Sequence, residues 1–240
     1  LRTAYPTKPI VGLLVHGGTL ALGAAGTQLD AIMSAWYPGI EGGNAIAMTL
    51  FGEAGANPAG RSASTWYKQT SDLMPAQEQN ENAGTGMTYR YIKNYKGAVV
   101  YPFGFGLSYT TFSYATPHLS ADRIASTDTL TVQVNVTNTG QRAGDEIVQL
   151  YLRDDVASVT RPVRQLRGFR KVHLAPGETR TVSFTLDAQD FALLDEHWRP
   201  MVEAGRFSVF VGADSTTDNQ ARFEVTDSRV LSGAGPSGRP

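Results

Sequence analysis

The 240 residues carry 21 lysines and arginines against 22 aspartates and glutamates, a formal net charge of -1, with 41% hydrophobic residues and no cysteine. That length supports one large domain or two ordinary ones with a real core, and near-neutral charge leaves no electrostatic footprint for nucleic acid or an anionic membrane. The absent cysteine excludes disulfides and thiolate metal sites without fixing a compartment, and no apolar run approaches the ~18 residues of a membrane-spanning helix.

The chain opens LRTAYPTKPIVGLL, with leucine rather than methionine, and passes at once into an apolar segment. This reads as a start inside something larger, with any signal lying upstream. KPIVGLLVHGG (8–18), bounded by proline and a glycine pair, predicts a buried strand of the parallel type. LDAIMSAWYPG (29–39) supplies a second apolar element. EGGNAIAMTLFG (41–52) places Ile46, Ala47 and Leu50 on one face and ends in Gly52, which predicts a helix of about ten residues with a glycine C-terminal stop. STWY (64–67) reads as one more strand. Strands mixed with a helix at short spacing indicate α/β layers, here a partial α/β sandwich layer.

Residues 68–100 are polar, and AQEQNENAGTG (76–86) is their least ordered stretch. YPFGFGLSYTTFSY (101–114) then packs six aromatics around Gly104 and Gly106 without a charge. From residue 111 onward the pattern is all-β. TLTVQVNVTNTG (129–140) alternates Leu130, Val132, Val134 and Val136 with polar residues and ends on a turn signal. Further short strands follow, each bounded by Gly, Pro, Asp or Asn, which fits an immunoglobulin-like, fibronectin type III-like sandwich. SRVLSGAGPSGRP (228–240) reads as a flexible tail.

Nucleophile signatures are absent: there is no cysteine and no G-x-S-x-G, and the four histidines stand at no metal-ligand spacing. No metal and no cofactor is expected. His118, His173 and His197 read as structural. His16 differs, because it follows a strand of the parallel type and precedes Gly17 and Gly18, the position where α/β sheets place their sites. Glycoside hydrolysis would need two carboxylates about 5 to 10 Å apart. Asp145–Glu146, Asp154–Asp155 and Asp195–Glu196 are sequence neighbours, which on a strand point to opposite faces. Glu41 sits at a helix start, where the dipole favours it. Glu78 and Glu81 lie in the polar loop with nothing to order them. Asn135 heads a formal glycosylation sequon on the polar face of a strand. No acid/base pair emerges within the chain.

Taken together, KPIVGLLVHGGTLAL, AWYPGIEGGNAIAMTLFG, NPAGRSASTWY and TYRYIKNYKGAVVYPFGFGLSYTTFSY resemble the carboxy-terminal half of family 3 glycoside hydrolases. VNVTNTGQRAGDEIVQLYLRD, QLRGFRKVHLAPGET and VEAGRFSVFVGADS are similar to the fibronectin type III-like domain of the same enzymes. The resemblance runs from about residue 8 to 225. It implies a division into residues 1–100, the end of an α/β sandwich domain with a polar loop at 68–88; 101–115, an aromatic linker; 116–227, the fibronectin-like domain; and the tail. It also implies an upstream (β/α)8 barrel bearing an aspartate nucleophile, and an acid/base glutamate upstream of KPIV, so that both lie outside this chain.

The spacing from PAGRSASTWY to GLSYTTF looks closer to β-xylosidases than to typical β-glucosidases. Three departures stand out: Ser62-Ala63-Ser64 replaces a Leu-Pro-Val-like step, Met87 replaces an arginine, and His16-Gly17-Gly18-Thr19 replaces an Asn-Gly-Gly-Pro-type loop. The resemblance implies a retaining, exo-acting β-glycosidase acting extracellularly or in the periplasm on oligosaccharides or aryl glycosides. His16, Gly17, Gly18 and Glu41 are the candidate substrate-binding residues. An incomplete α/β sheet would expose apolar surface, so association into oligomers is expected. The alternative is a non-catalytic carbohydrate-associated binding or spacer module.

Overall fold

The computed structural model describes residues 1–73, 78–84, 86–93 and 95–232. The expected polar loop and tail therefore fall partly outside the described residues. The chain forms two compact units: Leu1–Pro58 with Ser62–Phe103, and Ala59–Arg61 with Gly104 onward. No helix among the described residues is long and apolar enough to cross a membrane.

The first unit begins with β1 (Val11–Val15), a short helix α1 (Ala25–Gln28) and β2 (Ala31–Trp36), and β1 and β2 pair in parallel. Arg2 ties the entry of this pair: it donates to Asp30 Oδ2 at 2.5 Å, and the same carboxylate oxygen accepts from the Ile10 amide at 2.7 Å. The 10-residue helix α2 (Gly42–Phe51) follows and stops at Gly52, whose φ of 65° is the left-handed conformation that glycine adopts without strain. Gly52 closes the helix by donating to the Met48 and Thr49 carbonyls. β3 (Trp66–Tyr67) pairs antiparallel with β4 (Val99–Tyr101), and the four-residue helices α3 (Thr88–Tyr91) and α4 (Tyr95–Ala98) lie between them in sequence. Trp66, Tyr67, Tyr89 and Ile92 are the buried apolar residues here, with Phe103 stacked on Tyr89 at 4.3 Å between ring centroids.

The parallel pairing of β1 is as expected, but its burial is not. Val11, Leu13 and Val15 are about half exposed. A parallel strand is buried when helices cover both faces of its sheet, and the face that carries Val11, Leu13 and Val15 stays open.

The second unit contains β5 (Phe112–Tyr114), β6 (His118–Leu119), β7 (Arg123–Ile124), β8 (Leu130–Asn138), β9 (Gly144–Asp154), β10 (Gln165–Leu174) and β11 (Thr179–Leu186). After the short helix α5 (Ala188–Phe191) come β12 (Leu193–Leu194), β13 (Pro200–Val202), β14 (Gly205–Gly212), β15 (Gln220–Val225) and β16 (Arg229–Val230). One sheet has the order β10-β9-β14-β15-β7; a second has β11-β8-β5 with β6 also on β8; a third joins β12, β13 and β16. Leu130, Val132, Val134 and Val136 all turn into the core, as the alternation predicts, and meet Val148, Leu150, Val209 and Val211. β16 and the buried Leu231 fall in the stretch expected as a tail, so the ordered chain runs further than its Gly/Ser/Pro content suggests.

The aromatic run divides between the units after Phe103. Gly104 adopts φ 83°, and a β-carbon there would strike the Gln149 amide, which donates to the Gly104 carbonyl at 3.1 Å. A β-carbon on Gly106 would strike the Gly60 carbonyl. The glycines thus serve a bend and two close approaches.

Candidate functional site

The site of most chemical interest in the first unit lies where β1 and β2 end. His16 directly follows β1, and its amide donates to the Trp36 carbonyl at 3.2 Å. Its ring is buried. Nδ1 lies 2.5 Å from the Gly18 carbonyl, and Nε2 lies 2.8 Å from Ser34 Oγ. A carbonyl can only accept, so Nδ1 carries a proton, while Nε2 and the Ser34 hydroxyl share a hydrogen bond. Two indoles flank the imidazole: Trp36 at 4.9 Å, tilted, and Trp66 at 5.4 Å, edge-on. His16 therefore orders its surroundings and presents no free basic nitrogen.

Trp36 owes its position to an irregular backbone. The register runs Leu14 to Ser34 and then Val15 to Trp36, so β2 bulges at Ala35. Trp36 itself has φ 51°, a left-handed conformation that costs a bulky residue roughly 1–3 kcal/mol. Bulges re-aim side chains and recur beside functional sites. The next residue, Tyr37, is 78% exposed. A β-carbon on Gly17 would meet the Tyr37 hydroxyl at 2.5 Å and its ring at 2.6–2.8 Å, so Gly17 lets the phenol lie against the backbone, while Gly18 faces open space.

Of the four candidates, the structure brings His16, Gly17 and Gly18 into one cluster with Ser34, Trp36 and Tyr37. Glu41 is the residue before α2, as expected, but its carboxylate makes no backbone cap and instead accepts from Asn44 Nδ2 at 2.6 Å. No hydrogen bond links Glu41 to His16 among the described residues. Glu78 accepts from the Asn80 amide at 2.8 Å. No group of three or more potential metal ligands occurs among the described residues.

Sequence reasoning passed over Trp36 and Tyr37 as site residues, although they sit at the carboxyl end of β2 as His16 does at β1. It also passed over a buried cluster in the second unit. There Glu146 is fully buried, takes Arg61 Nη2 at 2.5 Å and accepts the Tyr114 hydroxyl at 2.5 Å. Burial pushes its carboxyl above the usual glutamate range, against the pull of Arg61 and the Tyr114 hydroxyl. Burial, then the adjacent carboxylate, pushes the Tyr114 phenol up as well, so it stays protonated and donates. The available signal was register: Glu146 falls in phase with Val148, Leu150 and Leu152, whose side chains face the core. Its neighbour Asp145 points the other way, to Lys171 and His173, as alternation requires.

A cavity of about 10 Å³ in the second unit is lined by Asp154, Arg161, Gln165 and Phe207 among others. Burial raises the Asp154 carboxyl above its usual range. A space of that size holds one water, whereas organic ligands occupy pockets of roughly 300 Å³ or more.

Residues 2–109 match the Glycosyl hydrolase family 3 C-terminal domain, and residues 146–215 match the Fibronectin type III-like domain. A β-xylosidase of Formosa agariphila is 38% identical over 221 residues, covering 91% of this chain and 30% of the relative. A periplasmic β-glucosidase of Salmonella typhimurium is 40% identical over 225 residues, covering 91% of this chain and 29% of the relative. The crystal structure of a β-glucosidase from Kluyveromyces marxianus in complex with glucose superposes with a TM-score of 0.81 at 33% identity, covering 95% of this chain and 28% of that one. The chain thus spans under a third of the length of these relatives.

Proposed function

Because the chain belongs to glycoside hydrolase family 3, carrying its C-terminal domain and then a fibronectin type III-like domain, we propose that it is the site-shaping part of a retaining, exo-acting β-glycosidase. Its substrates are oligosaccharides and aryl glycosides with terminal β-linked xylose or glucose, and it works extracellularly or in the periplasm. The covalent steps fall to residues outside this chain: an aspartate of the upstream barrel attacks the anomeric carbon, and a glutamate upstream of KPIV protonates the leaving oxygen and then activates water. His16, Gly17 and Gly18 line the substrate approach at the strand ends, and Glu41 joins them from the residue before α2. His16 orients the loop through Gly18 and Ser34.

The observation that carries this reading is the two domain matches, in this order, across a chain that covers 30% of a β-xylosidase and 29% of a β-glucosidase. Three carboxylates of the chain support it. Glu146 is locked to Arg61 and Tyr114, Asp145 to Lys171 and His173, and Asp195 to Arg199. A catalytic carboxylate needs a face open to substrate. The test is turnover of aryl β-xyloside and β-glucoside by the full-length gene product and by this chain alone, with the anomer of the first product read by NMR. Retaining hydrolysis by the former and none by the latter is expected. Turnover by the chain alone that disappears in Glu41→Gln or Glu78→Gln would overturn the reading.

A further inference from the structure

The exposed rings at the end of β2 are held in place at some cost, and nothing in the covalent chemistry uses them. Trp36 stands in left-handed backbone at a bulge, its ring braced by His16. Tyr37 is largely exposed and lies against Gly17, a position that has no room for a β-carbon beside it. The Ser34 hydroxyl and the open backbone of Gly18 adjoin the same corner. We propose that Trp36 and Tyr37 form a stacking platform for a sugar ring of a β-linked oligosaccharide, with Ser34 and the Gly17–Gly18 backbone serving its hydroxyl rim.

The chemistry favours a sugar. A pyranose presents an apolar face of C–H groups and an equatorial belt of hydroxyls, and so fits an aromatic face bordered by hydrogen-bonding groups. Ligand sites in α/β sheets lie beyond the carboxyl ends of their strands, where both rings stand. His16 strengthens the assignment: with Nδ1 hydrogen-bonded to the Gly18 carbonyl and Nε2 to Ser34, the imidazole is fixed in place as a prop for Trp36. The proposal rests on the glycosidase reading above and adds the residues that would hold a sugar on this chain.

The test is calorimetric titration of the 240-residue chain with xylotriose and cellotriose, paired with tryptophan quenching in a Trp198→Phe background that removes the other exposed indole. Saturable binding in the millimolar range is expected. Trp36→Ala and Tyr37→Ala should each weaken it by roughly three- to tenfold, the range for loss of an aromatic contact. Tyr37→Phe should bind as wild type, because the ring face rather than the hydroxyl makes the contact. Gly17→Ala has ordinary backbone angles and keeps both rings, yet should weaken binding by pushing the phenol off the loop. It keeps the proposal falsifiable if Trp36→Ala unfolds.

Absence of saturation on the order of 10 mM, or binding unchanged in Tyr37→Ala and Gly17→Ala, would overturn the platform. So would light scattering that shows a dimer dissolved by Tyr37→Ala, since the face would then be occupied by a second copy. Retaining hydrolysis by the full-length product with no binding here sinks the platform alone. Binding here without hydrolysis there sinks the enzymatic reading alone.

Discussion

β1 and β8 are both rich in aliphatic residues, yet they meet opposite fates. VGLLV in β1 is apolar on both faces, a pattern that suits a strand covered on two sides. Val11, Leu13 and Val15 are nonetheless half exposed, because the face they share is left open. LTVQVNVTN in β8 alternates, asks for one covered face and has it: Leu130, Val132, Val134 and Val136 are at most 1% exposed. Apolar content alone sets neither burial nor stability. What counts is whether the number of covered faces matches the number the sequence encodes.

The contrast breaks most visibly in the second unit's core. Phe207 stacks on Phe223 at 5.4 Å and meets Phe191 at 5.8 Å, all three buried. Phe207→Ala removes a ring that neighbouring strands cannot collapse to replace, with an expected loss of ~3–5 kcal/mol. Urea unfolding followed at Trp198 reads it. A loss below about 1 kcal/mol would mean that this core is no better packed than the first unit's sheet.

The buried ion pair gives the next effect and sharpens the comparison, because it is polar yet belongs to the well-covered region. Glu146→Ala leaves the Arg61 guanidinium buried with its cation unpaired, and about 3 kcal/mol or more should be lost. Arg61→Met combined with Glu146→Leu should recover most of that, since a matched apolar pair removes both desolvation penalties. A double variant as unstable as Glu146→Ala would show that Tyr114, which loses its acceptor, carries the cost.

These two cases mark how far sequence reached. The β8 alternation, the α2 span with its Gly52 stop and the parallel pairing of β1 were legible because each is encoded within a dozen residues. The Glu146–Arg61 pair was not, because its halves lie 85 residues apart and only a register anomaly marks one of them. The bulge that aims Trp36 was hidden as well, since nothing in AIMSAWYPG demands left-handed backbone from a tryptophan. At the candidate site, position after a strand identified His16, Gly17 and Gly18. The same rule applied to β2 would have added Trp36 and Tyr37.

Smaller again is the acid response, where adjacent residues of β9 should act with opposite sign. Partial burial works against ionisation of Asp145, but hydrogen bonds from Lys171 and His173 outweigh it and hold the carboxyl below the usual range. Its stabilisation is complete above the unfolded aspartate value near 3.9 and fades as pH falls through the folded value. Glu146 is raised in the folded state. Its ionisation opposes folding as pH climbs from about 4.3 through the folded value, so acidification across that window is stabilising. Urea midpoints between pH 3 and pH 7 should lose the acid-side decline in Asp145→Asn and the opposing slope in Glu146→Gln (roughly the span that carboxylate titration covers). Equal slopes in both variants would contradict the two environments.

The smallest thermodynamic effect belongs to β1 itself. Leu13→Ser places a hydroxyl where a leucine side chain is 44% exposed, so unfolding free energy should change by no more than about 0.5 kcal/mol. Association should respond more than stability does. Leu13 shares its exposure with Val11, Val15, Ile40 and Phe51, and an unpaired apolar sheet favours contact with further chains. Light scattering across a concentration series should therefore show less self-association in Leu13→Ser at unchanged midpoint. If the midpoint instead falls as far as a core leucine would take it, by ~2 kcal/mol or more, the face of β1 is covered in solution, and the distinction between a satisfied and an unsatisfied strand disappears.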